Sequence, residues 1–538
     1  MNNLHRLASA ISRKLAFHAR TAPCFPSEAS SGQVRMAVGA AVLLTLMGLG
    51  CEFLIWPDWD AAWLLAIARR MRAGATLYSD DLVEINPPTI IELARLALRL
   101  SDALGVEAIT AWRLLVFAFV QLSLGLSLPL LRRGLKGNDA HLFLPAAVLL
   151  AAVLGCLPGA NFGQREHLIL LLSLPYVLAA GLYISGNRLT LKSRVAYGAM
   201  LAVALSIKPH YALLVLCVEA GVVLCVRRPW AWLRVETLSA LVIAIVAALS
   251  IALHYPSYSS FAVPLALRFY VEYGELQLTL SHAAYLTGAT TAVLAMRPFG
   301  IKSTAPLTLL FAGVGAFLVF LVQRKGWDYQ LLPARGYLFM AGGLAGLLVA
   351  NAVAARGLAR VSMVSVRRLT VFAAVVMMLA VSALLVRRTV NTNNGYWPRQ
   401  FSELKAIIEQ AQPTGMPRTM ATLSIDMFPA FPVVEVMGGE WASRFSCLWM
   451  IPAIEARERA GGDVATPEGS GRHYLTAAVA EDLARYQPTV VLIEEARSRL
   501  LDDIVSAPAV HDALRTYHRV GRVGALSVWV RGANVRID

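Results

Sequence analysis

The sequence is short of charge. Only 15% of its 538 residues are Asp, Glu, Lys or Arg, where an ordinary soluble domain carries ~25%. That scarcity, set beside 57% hydrophobic residues, excludes a disordered chain and a typical soluble enzyme. Cysteine is scarce too, and six in this length exclude a small disulfide-stapled scaffold. Cys447 stands alone beyond residue 389, so no disulfide can close within that region. Internal repeats and low-complexity tracts are absent. Acidic residues are the scarcer sign, 34 against 49 Lys and Arg, for a net charge of +15. In so apolar a chain a basic excess reads as loops that fix orientation in a bilayer, not as a nucleic-acid-binding surface. What remains is a polytopic α-helical membrane protein.

Apolar runs long enough to span a bilayer, or nearly so, lie at about 36–55, 109–131, 141–157, 168–185, 195–207, 211–226, 235–254, 278–296, 305–322, 331–354 and 369–386. That makes about eleven transmembrane helices, with 141–157 and 195–207 the short ones. A basic tail, residues 1–35, precedes them. It is too long for a signal-peptide n-region, so the first span reads as uncleaved and Cys51 as a small helix residue. Every second loop is basic, as at Arg132, Arg133 and Lys136, or Arg227, Arg228 and Arg234. With an odd number of spans this places the N-terminus in the cytoplasm and the C-terminus outside.

Hydropathy drops after the last span, so the membrane region is 36–388 and a separate soluble region is 389–538. Helices are predicted there at 401–410 and 474–486, and strands at 419–425, 489–494 and 525–530, giving a small α/β domain. Gly461-Gly462 and residues 467–471 read as a loop. Asp426 and Trp441-Ala442-Ser443-Arg444 read as a turn and a surface patch.

The unexplained polar residues collect on the outer face. The first outer loop, 56–108, opens with Asp58 and Asp60 and continues as an amphipathic stretch, Trp63 to Met71, that suits a helix lying on the membrane. Gly74 ends it. Asp80, Asp81 and Glu84 follow, and Pro87-Pro88 starts a second helix to Leu104. Later outer loops supply Arg165, Glu166 and His167, then Lys208 and His210, then Lys325 and Tyr329. Cations at a bilayer surface suit a phosphate, and nearby carboxylates suit general-base chemistry.

The first loop resembles that of the polyprenyl-phosphate-dependent glycosyltransferases of the GT-C superfamily, such as the protein O-mannosyltransferases, the lipid A aminoarabinose transferase and the rhizobial galacturonosyltransferases. The matching pieces are Asp60, the stretch from Trp63 to Gly74, and Glu84 to Pro88. Tyr329-Gln330-Leu331-Leu332-Pro333 is similar to the family's Tyr-x-Leu-Leu-Pro. The chain departs at two points. Ala61 stands where the family has a second acidic residue, leaving Asp58 to supply that carboxylate, and Glu84 lies one residue further from the proline pair.

The resemblance implies a GT-C-like membrane domain with juxtamembrane helices in its first outer loop. It implies transfer of a sugar, with inversion, from a polyprenyl-phosphate donor to an extracytoplasmic glycan, lipid or protein at the bacterial inner membrane, with the C-terminal domain in the periplasm. Asp60 is then the general base, with Asp58 and Glu84 as the other catalytic candidates. Arg165, Lys208, His210 and Lys325 clamp the phosphate. Asp80, Asp81 and Glu84 orient the sugar or hold a divalent cation, while Glu166, His167 and Tyr329 complete the substrate site. The rival readings are a multi-span transporter or flippase, and an O-antigen-type ligase or polymerase.

Overall fold

All eleven apolar runs are helical. The computed structural model describes residues 29–271, 276, 278–357, 363–412, 418–461 and 470–532. Most of the basic tail and most of the 461–471 loop therefore lie outside the described residues. The bundle consists of α1 (Ser31–Glu52), α4 (Ala108–Gly134), α5 (Phe143–Gly155), α6 (Arg165–Ile184), α7 (Leu191–Ile207), α8 (Ala212–Val226), α9 (Val235–His254), α10 (Leu280–Leu294), α11 (Ala305–Gln323), α12 (Leu332–Gly357) and α13 (Met363–Asn393). Among the described residues nine helices are long and apolar enough to cross a membrane. The short ones are α7 and α10, at 17 and 15 residues. The 141–157 run is not short, because a 3₁₀ turn at Gly137–Leu142 extends α5 at its start.

Close packing rests on small residues. A Cβ placed on Gly48 of α1 would lie 2.4 Å from the Gly155 carbonyl oxygen, and one on Gly155 would lie 2.7 Å from the Thr45 methyl. The centre of the bundle is α6, buried along almost its whole length.

Two further helices, α2 (Trp59–Arg72) and α3 (Pro88–Leu104), fill the loop between α1 and α4. The first starts four residues earlier than Trp63 because the Asp58 carboxylate caps it, accepting from the Ala61 N–H at 3.0 Å. Pro88 opens the second and Gly105, at φ +64°, ends it.

The C-terminal region carries a five-stranded sheet in the order β2-β1-β3-β5-β4, formed by β1 (Thr419–Leu423), β2 (Glu440–Trp441), β3 (Val490–Glu494), β4 (Tyr517–Val523) and β5 (Leu526–Arg531). The first three are mutually parallel, and β5 runs antiparallel to β3 and β4. Helices α14 (Tyr396–Ala411), α15 (Ala430–Val436), α16 (Ile451–Arg459) and α17 (Gly471–Tyr486) accompany the sheet.

This region docks on the loop between α1 and α4, and α2 is the element between it and the bundle. Eight consecutive residues, Ala61 to Ala68, are buried. The basic edge of α2 faces protein and not lipid headgroups. Arg69 makes a two-pronged ion pair with Glu435, and Arg70 donates to the Ser443 carbonyl and to the Tyr486 hydroxyl at 2.8 Å. The helix expected on the membrane surface is thus sandwiched between bundle and C-terminal domain. Periodicity shows that a face is polar; it does not show what covers that face.

Candidate active site

Three segments meet where α2 begins. Asp58 turns one carboxylate oxygen to the Ala61 N–H and the other to the Gln164 side-chain amide at 2.8 Å. Burial, reinforced by the charge of Asp60, holds its carboxyl well above the usual carboxylate range. Asp60 lies in the first turn of α2, where the helix dipole favours a carboxylate. One of its oxygens accepts from a guanidinium nitrogen of Arg165 at 3.1 Å. The other terminal nitrogen of Arg165 donates to the Asn86 side-chain oxygen. Glu84 is fully engaged. It accepts from the backbone N–H groups of Ile85 and Asn86 at 2.7 Å each, from the Asn86 amide at 2.6 Å, and from the Trp63 indole at 2.7 Å. Four donors on one carboxylate fix the turn that carries Asn86 to Arg165.

Asp60, Glu84, Arg165 and Tyr329 line one cavity of about 440 Å³. Its walls are strongly aromatic, with Trp59, Trp63, Tyr270 and Trp327 from the membrane region. The opposite wall comes from the C-terminal domain and includes Asp426, Phe428, Cys447 and Trp449. Edge and tilted ring contacts tie the two sides together: Trp59 to Phe428 at 5.3 Å, and Tyr270 to Trp449 at 5.9 Å. Asp426 is no simple turn residue, since Arg497 pairs with it at the cavity edge. The Trp441–Arg444 run is no surface patch either, because all four residues are buried.

The other expected residues stand apart from the cavity wall. Glu166 and Lys208 form a buried ion pair, and the Lys208 ammonium lies 6.0 Å from the Tyr329 ring. His167 is buried in the bundle, accepting from the Gly163 N–H and donating to the Leu154 carbonyl at 2.8 Å. His210 sits on the turn between α7 and α8, its ring 5.3 Å from Tyr211. The Lys325 ammonium binds the Tyr270 and Val271 carbonyls and lies 4.4 Å from the Tyr270 ring, so it positions a wall residue. Burial pulls its pKa down to about 8. Asp80 and Asp81 face the C-terminal domain, 3.6 Å from Arg444 and 2.7 Å from Arg485. They do not converge with Glu84. Among the described residues no group of three or more His, Cys, Asp or Glu is arranged to hold a metal ion.

No family model matches the chain, and no curated protein matches it in sequence. Solved structures do match. ArnT from Cupriavidus metallidurans, in a crystal structure bound to undecaprenyl phosphate, has a TM-score of 0.56 over 93% of this chain and 98% of its own, at 17% identity. Its apo structure gives the same TM-score at 16% identity. The chain has the GT-C fold. The mycobacterial arabinofuranosyltransferase AftD follows at a TM-score of 0.49 and 16% identity, over 95% of this chain and 41% of its own. In this fold the pieces that carried the resemblance, Asp60 and the Glu84–Pro88 segment, stand on either side of Arg165. The sequence reads Trp63 as part of a helix lying on the membrane and gives no role to Trp59, Phe428 or Trp449. The one available signal was the spacing of Trp56, Trp59 and Trp63 beside two aspartates.

Proposed function

We propose that this chain is a membrane glycosyltransferase that moves a sugar from a polyprenyl-phosphate carrier to an extracytoplasmic acceptor, with Asp60 as general base. The observation that carries the reading is the placement of Asp60 beside a buried arginine in an aromatic cavity at the outer end of the bundle. The lipid ligand in the ArnT structure supports a lipid-linked donor. The basic loops on the other side support a cytoplasmic N-terminus and a C-terminal domain outside the membrane, in the bacterial case facing the periplasm.

The chemistry follows from the two charges. The acceptor hydroxyl gives its proton to Asp60 as its oxygen bonds to the anomeric carbon. The bond from that carbon to the phosphate oxygen breaks, and its electron pair leaves on the phosphate. Arg165 neutralises the charge that grows there. Attack opposite the leaving group inverts the anomeric centre. The aromatic walls hold sugar rings by their apolar faces, and the cavity keeps bulk water from competing.

The test is transfer of radiolabelled sugar from polyprenyl-phosphate donors in membranes containing the natural chain or Asp60→Asn. Loss of transfer by about 10²- to 10⁴-fold, with donor binding retained, is the expected result. Undiminished transfer would move the base to Asp58 or Glu84. Failure of both proteins with every donor would favour a transporter.

A further inference from the structure

The C-terminal wall of the Asp60 cavity stands where α/β sheets bind ligands. The strand order β2-β1-β3 takes the chain from β1 to one side and returns it on the other. β1 and its parallel neighbour β3 therefore flank a topological switch point. In such sheets ligands enter the crevice beyond the carboxyl ends of the strands at that point. Ile425 to Phe428 follow the end of β1, Ser446 to Trp449 follow the end of β2, and the wall is made from these two stretches. The loop that carries Asp426 is fixed from behind. Glu494, the last residue of β3, accepts from the Ser424 hydroxyl at 2.8 Å, the Ile425 N–H at 3.0 Å and Arg497 at 2.8 Å. Arg497 also donates to one oxygen of Asp426. Among the described residues the other oxygen accepts no hydrogen bond.

Charge divides the cavity. Among the described lining residues Arg165 is the only Lys, Arg or His, and it belongs to the membrane-region wall. The C-terminal wall offers the Asp426 carboxylate, the Ser446 hydroxyl and the rings of Phe428 and Trp449. Arg497 stands behind Asp426 and is already shared between two carboxylates. One phosphate can be met at Arg165, but a second anion would face Asp426 without a cation of its own. We infer that this wall is the acceptor subsite and that it takes a neutral sugar, a hydroxyl bound by Asp426 and the ring lying against the aromatic side chains. A sugar brings hydroxyls that donate to a carboxylate and an apolar C–H face that packs on a ring. The inference rests on the reading of Asp60 and Arg165 given above, which assigns the membrane-region wall to the donor and its phosphate.

The experiment measures binding of methyl glycosides to the full chain by saturation-transfer NMR, in a detergent without a sugar headgroup. The probes are methyl glucoside, mannoside, galactoside and arabinoside, with methyl glucuronide, mannose 6-phosphate and methyl glucosaminide beside them. At least one neutral glycoside is expected to bind, and the two anionic probes to bind at least about tenfold more weakly. Asp426→Asn is expected to weaken the neutral glycoside by about tenfold, the loss of a hydrogen bond to a charged group. Ser446→Ala is the second arm. Its hydroxyl has only a sulfur contact, to Cys447 at 3.9 Å, so the change leaves no oxygen partner stranded, and it is expected to weaken binding about threefold. Absence of binding by every neutral glycoside would overturn the inference. So would equal binding of the anionic probes, tighter binding of the glucosaminide, or neutral binding unchanged by both variants. Binding is read without transfer, so the two readings fail separately. Glycoside binding by a chain that transfers no sugar from any donor would place the failure in the proposed reaction and not in the subsite.

Discussion

What surrounds Asp58 decides how it titrates. Asp58 is buried, accepts only two hydrogen bonds and sits close to the charge of Asp60. Its folded pKa is raised, so the folded chain holds a proton that the unfolded chain releases near pH 4. The folded state then binds more protons than the unfolded one above that pH, and stability falls as pH rises until Asp58 ionises in place. Asp58→Asn removes the titration and keeps an oxygen for the Ala61 N–H. Its amide can donate to the Gln164 side-chain oxygen, which has no hydrogen-bond partner as now oriented, once that side chain turns over. The melting temperature of the variant in detergent is therefore expected to change less between pH 6 and pH 9 than that of the natural chain. An unchanged slope would assign the pH dependence to another group.

Helices show how far sequence reading reaches. Every apolar run became a helix because hydropathy over about twenty residues reports directly on burial in lipid. In the C-terminal domain, β1, β3 and β5 were readable as short apolar runs with β-branched residues. The two edge strands were not, since β2 has only two residues and β4 is broken by an irregularity between Arg519 and Gly521. The half of the candidate site carried by Asp60, Glu84, Arg165 and Tyr329 followed from one loop pattern and its neighbours. The half carried by Phe428 and Trp449 could not, because the docking of α2 brings together residues more than 350 positions apart. Contacts between helices were equally silent in sequence, yet they carry a prediction. Gly155 touches Thr45 so closely that Gly155→Val must push α1 and α5 apart. A destabilisation of about 1–3 kcal/mol is expected, read as a lower melting temperature. Gly39→Ala, on the same α1 but with open space around the new methyl, is expected to be neutral or slightly stabilising. Equal effects of the two would mean that the α1–α5 crossing is looser than the contact distance implies.

At the scale of the whole molecule, the cavity exists only while the C-terminal domain stays docked, since that domain supplies one wall. Arg444 holds the joint. It pairs with Asp482 at 2.8 Å and Glu481 at 2.8 Å inside its own domain and reaches Asp80 of the α1–α4 loop at 3.6 Å, while its carbonyl accepts from the Val83 N–H at 2.9 Å. Asp482 also accepts from the Ser443 hydroxyl and the Arg444 N–H. Arg444→Ala would leave a buried carboxylate short of its cation, and such a loss is severe because the charge keeps its desolvation cost. The Arg69–Glu435 pair on the far edge of α2 would remain, so the domain is expected to loosen without detaching. Cys447 reports that motion. It lines the cavity with 4% of its surface exposed, and burial together with the charge of Asp426 raises its pKa far above the usual thiol range. Maleimide labelling mapped to the Cys447 peptide is expected to be slow in the natural chain and several-fold faster in Arg444→Ala, with sugar transfer falling in step. Faster labelling with transfer unchanged would mean that the C-terminal wall is not needed for the reaction. Unchanged labelling would mean that the aromatic contacts of Trp59 and Trp63 with Phe428 and Phe431 hold the domain in place without this arginine.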